Sequence, residues 1–200
     1  MDITSLIEAY QADGFVVARG LFDGILLADV TAETERVVAA GVAADDDRRA
    51  LFDDDPVCDG IQYIDKPPRA TYEFPYHQDN GYHFYEPARA LAATVALDAQ
   101  PTESGPIACL RGSHRLAILP HRLSGVLGAS RGLVDAPDTA KYPEVAVALE
   151  PGDVLVHHTN VIHRTGPNRT AAHRRNLGFT YHGAGVVEDV AARDRAVDQA

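Results

Sequence analysis

Apolar residues fall at helical spacing twice near the start of the chain. Ile3, Leu6, Ile7 and Tyr10 form one stripe within Ile3 to Gln11. Leu27, Val30, Thr34 and Val37 form another within Gly24 to Ala43, with Thr34 its one polar member. Between them Asp13-Gly14 breaks the first helix, and Phe15-Val16-Val17-Ala18 reads as a strand. From Gly60 onward the texture changes to short apolar runs punctuated by turn residues. Gly60 to Ile64 is one such run, ended by Pro67-Pro68; Thr71 to His77 and Leu91 to Leu97 follow. Ile107 to Leu110, Val145 to Leu149, Val154 to His158 and Leu177 to Tyr181 complete the set. Short strands at such spacing, with no long helices between them, predict a sandwich or barrel. Leu116 to Tyr142 is long and weakly patterned, the place for a lid or substrate loop. Ala44 to Asp59 is acidic and aperiodic, and a loop is expected there. With no internal repeat and no linker, residues 1–200 read as a single domain.

Composition narrows the function classes. A net charge of −11, from 29 acidic and 18 basic residues, repels phosphate backbones, so no nucleic-acid partner is expected. No apolar stretch approaches the roughly 20 residues that cross a bilayer, and no membrane association is expected. The opening Met1-Asp2-Ile3-Thr4 lacks a basic n-region, so a cytoplasmic location is expected. The acidic runs Asp45-Asp46-Asp47 and Asp53-Asp54-Asp55 lack the alternating ligands, central Gly and closing Glu of a calcium loop and read as solvated. Cys58 and Cys109, in no paired motif, read as reduced thiols without chemistry.

The chemistry is concentrated in His77-Gln78-Asp79, His163 and Arg174. Two imidazoles and one carboxylate can cover one face of an Fe(II) ion and leave the other face open, the facial arrangement of non-haem iron oxygenases. Residues two apart on an extended strand project to the same side, so His77 and Asp79 can reach one ion together. His163 is the choice for third ligand. His157 and His158 compete for that role, and because they alternate along a strand, one of them can line the same pocket. Arg174 supplies a two-pronged anchor for a carboxylate cosubstrate such as 2-oxoglutarate, while the adjacent Arg175 points the other way. The expected reactants are therefore Fe(II), 2-oxoglutarate, O2 and a small-molecule substrate.

These residues and their surroundings resemble the phytanoyl-CoA dioxygenase family. The resemblance runs from the opening Asp13-Gly14-Phe15-Val16-Val17 through Gln62, Lys66-Pro67-Pro68 and Tyr76-His77-Gln78-Asp79. It continues in Leu97-Asp98, Glu103-Ser104-Gly105-Pro106 and Arg111-Gly112-Ser113-His114-Arg115, and closes in Gly152-Asp153 to His163 with Thr165-Gly166-Pro167-Asn168. It implies a mainly β fold with flanking helices, a double-stranded β-helix or cupin-like jelly roll. It also implies Thr165, Thr94 and Gln62 as further cosubstrate contacts. Two departures stand out: the chain is short, and Arg164 takes the place of the glycine usual after the distal histidine.

The resulting expectation is a 2-oxoglutarate-dependent dioxygenase that hydroxylates or otherwise oxidises a small molecule, with release of succinate and CO2. The short chain points toward a metabolite of the kind met in natural-product tailoring. Because Asp79 fills the position that related halogenases leave to chloride, hydroxylation is expected over halogenation. The rival readings are a jelly-roll metabolite-binding protein without turnover and a cupin-type metalloenzyme that uses no keto acid; the latter leaves Arg174 without a task. A zinc hydrolase fits poorly, since no HExxH motif accompanies the histidines. The sequence does not indicate an oligomeric state.

Overall fold

The structure, a computed structural model, describes residues 2–40, 57–126 and 129–198. Helix α1 (Ile3–Asp13) starts where the Asp2 carboxylate accepts the Thr4 N–H, and it stops at Gly14, whose φ of 85° gives a left-handed cap. Strand β1 (Phe15–Ala18) and helix α2 (Gly24–Ala40) follow, then β2 (Val57–Lys66), β3 (Phe74–His77) and the single-turn helix α3 (Asn80–His83). Next come β4 (Tyr85–Glu86), β5 (Ala90–Ala96), β6 (Ile107–Leu110) and the hairpin β7 (His121–Val126) with β8 (Ala129–Leu133). The chain continues through β9 (Glu144–Ala146), β10 (Val154–His158), β11 (His163–Thr165), β12 (Arg174–His182), β13 (Val187–Glu188) and helix α4 (Val190–Asp198).

Two antiparallel sheets form the body, one in the order β1-β10-β5-β12-β2 and the other β3-β11-β6-β9. Their shared interior is filled by Phe15, Ala96, Cys109, Leu149, Leu155 and Val161, all nearly or fully buried. The opposite face of the larger sheet presents Val95, Leu97, Val154 and Leu177, which pack against Leu27 and Val30 of α2. Strand β10 is thus apolar on both sides, because helix covers one face and the second sheet the other. Further along the inner faces aliphatic side chains give way to polar ones, and a cavity of about 390 Å³ opens between the sheets. The expected jelly roll with flanking helices is the fold observed.

Several boundaries differ from the sequence reading. The strand expected over Thr71 to His77 begins only at Phe74, because residues 69 and 70 are tied instead to the loop at 168–170. The strand around Gly60 runs from Val57 to Lys66, so the end of the expected loop at 44–59 is strand; the acidic runs and residues 41–43 lie outside the described residues. The stretch 116–142 contains the β7–β8 hairpin, which lies against β3, with Gly132 close against Pro75. No described helix is long and apolar enough to cross a membrane.

Candidate active site

Strand β3 ends at His77, and the backbone of Asp79 is already helical (φ −59°, ψ −35°) as the cap of α3. The two residues therefore do not share the face of one extended strand, as their spacing suggested. They converge because the chain turns between them, and Gln78 fixes that turn. Its fully buried amide donates to the carbonyls of Asn160 (2.9 Å) and Ala117 (3.2 Å) and accepts the N–H of Leu119 (2.8 Å). The Asn80 N–H donates to the Thr159 carbonyl at 2.9 Å, which ties α3 to the segment leading into β11. On that strand His163 is the direct register partner of His77, and the ring centroids are 4.2 Å apart.

His77, Asp79 and His163 form the one metal-competent cluster of described residues. Asp79 Oδ1 lies 3.6 Å from His77 Nε2 and 3.5 Å from His163 Nε2. His77 Nδ1 faces the Pro75 carbonyl at 2.8 Å, and His163 Nδ1 faces that of Val161 at 3.1 Å. A carbonyl only accepts, so each Nδ1 carries a proton and Nε2 is the nitrogen each ring turns toward Asp79. Burial pushes His163 down to about 3, further depressed by His77 and only partly offset by Asp79, which keeps its imidazole neutral. For Asp79 burial works toward protonation, but the facing imidazoles outweigh it and hold the carboxyl below the usual carboxylate range. An imidazole kept neutral by burial at His163 and a carboxylate held ionised at Asp79 are donors a divalent cation takes, so the donor set fits iron.

The other end of the cavity fits a carboxylate. Arg174 is 1% exposed, and among the described residues its Nε and Nη2 have no hydrogen-bond partner. With its amide turned to satisfy both sides, Asn176 accepts from Arg174 Nη1 at 2.7 Å and donates to the Arg175 carbonyl at 3.0 Å. Burial lowers Arg174 only to about 10, so it stays charged. Directly across the strand pair sits Lys66, fully buried, whose ammonium donates to Thr165 Oγ1 (2.8 Å) and the Gly166 carbonyl (2.5 Å). Burial and then the Arg174 charge push Lys66 down to about 7. Arg174, buried, charged and with unmet donors, needs an anion to offset the cost of its burial, and an anion there would also favour the charged form of Lys66.

All seven residues singled out from the sequence line this cavity: His77, Asp79, His163, Arg174, Thr165, Thr94 and Gln62. Thr94 and Thr165 are buried, whereas Gln62 is exposed and stands at the rim. The histidine pair at 157 and 158 divides as alternation requires. His157 lines the cavity, while His158 packs near Tyr10 and His114 and accepts the Asn160 N–H at 3.0 Å. Arg175 does face away from Arg174, yet it is not simply solvated: it pairs with Asp98 and Glu35. Arg164, the departure from the family pattern, points out of the cavity and is clamped by both Glu144 oxygens at 2.7 Å beneath the Tyr76 ring. Sequence reading missed Lys66 and Asn176 as site residues. On their own strands Lys66 stands four positions from Gln62 and Asn176 two from Arg174, so alternation was the available signal.

Fold and site together define a class: a double-stranded β-helix with a two-histidine, one-carboxylate cluster and a buried arginine in one cavity. The sequence profile of the phytanoyl-CoA dioxygenase family (PhyH) matches residues 57–176, more than half of the chain, and the chain belongs to that family. A probable phytanoyl-CoA dioxygenase of Caenorhabditis elegans is 33% identical over 126 residues, covering 59% of this chain and 40% of that protein. The chain spans about two fifths of the length of the curated relatives it matches. Among solved structures, the non-heme monooxygenase ThoJ in its apo form superimposes with a TM-score of 0.75 at 24% identity, covering 92% of this chain and 79% of that one. The epimerase SnoN, solved with Fe3+, alpha ketoglutarate and nogalamycin RO, gives 0.73 at 22% identity, covering 96% and 89%. At these identities the likeness to the solved structures establishes the fold.

Proposed function

We propose that this chain is an Fe(II)- and 2-oxoglutarate-dependent oxygenase that hydroxylates a small molecule. The observation that carries the proposal is the pairing, within one cavity, of a metal-competent cluster with a buried arginine whose donors are unmet. His77, Asp79 and His163 would hold the iron, and Arg174 with the Thr165 hydroxyl would hold the far carboxylate of the keto acid. The chemistry that iron and 2-oxoglutarate supply together is insertion of one oxygen atom of O2 into a C–H bond, the other oxygen leaving in succinate as CO2 is released.

The chain's own residues supply the order around that chemistry. The carbonyls of Pro75 and Val161 lock the two imidazoles in the tautomer that offers Nε2, so neither ring must reorganise on binding. Lys66 holds the Thr165 hydroxyl by donating to its oxygen, which leaves the Thr165 proton to point at a carboxylate. Ile64, Phe74, Ile107 and Phe179 give the otherwise polar cavity an apolar part, which would keep water from a carbon placed there. Asp79 occupies the position that a halogenase would leave to chloride, which supports hydroxylation. The cavity of about 390 Å³ falls at the lower end of the range for small-molecule sites, roughly 300–1,000 Å³. A small metabolite beside the keto acid is what that volume allows.

The test is succinate formation by the purified protein from 2-oxoglutarate, assayed with and without Fe(II) and O2 and in the presence of extract metabolites. Turnover that needs both, and that Asp79→Ala abolishes, supports the proposal. Metal binding with no succinate under any condition supports the rival binding-protein reading and refutes this one.

A further inference from the structure

Gln78, the residue between His77 and Asp79, is held at both its side chain and its main chain by one segment leading into the β7–β8 hairpin. Its side-chain amide meets the Ala117 carbonyl and the Leu119 N–H. Its main-chain N–H, just past the end of β3, donates to His121 Nε2 at 3.1 Å. The Leu119 carbonyl lies 2.7 Å from His121 Nδ1, so Nδ1 carries the proton and the neutral ring keeps Nε2 free to accept. Burial lowers the pKa of His121, which favours that neutral form. The ring is wedged against α3: a Cβ on Gly81 would stand 2.6 Å from its Cε1. From β8, Arg131 grips the same turn, its N–H donating to the Tyr82 hydroxyl at 3.2 Å and its carbonyl accepting from it at 2.9 Å. The Tyr82 ring stands edge-on to His77, with centroids 5.8 Å apart.

We infer that His121 is a positioning residue for the metal centre: its Nε2 fixes the main chain between His77 and Asp79, so that both reach the ion that His163 also meets. The inference rests on the cation site proposed above. The backbone is still strand at His77 and already helical at Asp79, so the change of direction falls on Gln78. A tilt of the peptide plane there would swing the Asp79 carboxylate away from the two rings. That carboxylate stands 3.6 Å from His77 Nε2 and 3.5 Å from His163 Nε2, and one shared ion leaves little play in those separations. The bonds made by the Gln78 amide hold its side chain, whereas the bond to His121 holds the peptide plane itself. The hairpin that carries His121 thereby acts on the metal without touching it.

The experiment is Co(II) titration, followed by visible absorption, of the unmodified protein and three variants, with thermal melts of each in the metal-free form. His121→Phe keeps a flat ring against Gly81 but offers no acceptor. His121→Gln places an amide oxygen where Nε2 stands. Gly81→Ala pushes the unaltered imidazole away from Gln78. The Co(II) dissociation constant should rise roughly ten- to a hundredfold in His121→Phe and Gly81→Ala, and His121→Gln should stay close to the unmodified protein. The Co(II) bands of metal-saturated His121→Phe should also change in position or intensity, which a loss of fold stability alone would not produce. A folded His121→Phe with unchanged Co(II) affinity and spectrum overturns the inference, whatever its melting temperature, and leaves the cation site standing. An equal loss in His121→Gln overturns the acceptor role. Should His121→Phe fail to fold, a raised dissociation constant in Gly81→Ala supports the inference and an unchanged one overturns it. An unmodified protein that takes up no Co(II) overturns the cation site and this inference together.

Discussion

Arg174→Met isolates the group on which the keto-acid reading depends. In the ligand-free protein the guanidinium is buried, makes its one clear bond to Asn176, and leaves Nε and Nη2 unmet. A keto-acid carboxylate would take both donors in a forked, charge-assisted pair. Removing one partner of such a desolvated pair costs about 2–5 kcal/mol. Taking about 3 kcal/mol and 1.4 kcal/mol per decade, the dissociation constant for 2-oxoglutarate should rise roughly a hundredfold. The effect on folding has the opposite sense. Methionine fills much of the same volume and removes an uncompensated buried charge, so the ligand-free variant should melt at the same temperature or higher. Arg174→Lys should fall between the two in affinity, because a point charge cannot form the fork. Calorimetric titration of anaerobic, metal-loaded protein gives the affinity, and thermal melts give the stability. An Arg174→Met protein that folds and binds 2-oxoglutarate with unchanged affinity refutes the assignment. A large fall in its ligand-free melting temperature shows instead that Arg174 is a structural cation.

Other outcomes follow from the same geometry. Gly105 has φ +65°, and a Cβ there would sit 2.2 Å from the Gly166 carbonyl oxygen, backbone against backbone. Gly105→Ala should therefore cost about 2 kcal/mol or more in denaturant unfolding, and by shifting the carbonyl that holds Lys66 it should also weaken 2-oxoglutarate binding; neutrality in both refutes the close approach. His158 is depressed to about 4 by burial and then by His114, and its Nδ1 must stay unprotonated to accept the Asn160 N–H. The unfolded chain takes up that proton near 6.5 and the folded chain only near 4, so the stability involved is complete above about 6.5 and is lost as pH falls through that window. His163, lowered to about 3, acts with the same sign. The melting temperature of the metal-free protein should drop from about pH 7 to about pH 5, and a flat or rising profile contradicts the assignment. Leu155 is fully buried in the core between the sheets, and Leu155→Ala should lose about 2–5 kcal/mol in chemical denaturation; a loss well below that means the strand is not packed on both faces.

How far the sequence could be read depended on whether each signal was local. Val154 to His158 and Ile107 to Leu110 were legible to the residue, because a strand covered on both faces shows as a short run rich in consecutive apolar residues. The β7–β8 hairpin was not: its strands are interrupted by Gly125 and Gly132 and β7 is only half buried, so its pattern of apolar positions is weak. The metal cluster was legible as residue types and spacing. Its route was not, since the turn between His77 and Asp79 is set by Gln78 reaching residues 117, 119 and 160, which no local pattern reports. Lys66 was passed over because lysine is a surface residue by default. Only the strand pairing that sets it opposite Arg174 shows that it is fully buried. Arg164 was legible only as a departure from the family pattern; its pairing with Glu144 outside the cavity depends on a residue twenty positions away.

The most direct test of the account is anomalous diffraction from crystals grown anaerobically with Fe(II) and 2-oxoglutarate. The account predicts one strong peak bonded to His77 Nε2, His163 Nε2 and the Asp79 carboxylate, with the keto acid chelating that ion and its far carboxylate on Arg174. A metal peak elsewhere in the molecule, or a keto acid whose far carboxylate avoids Arg174, would contradict it.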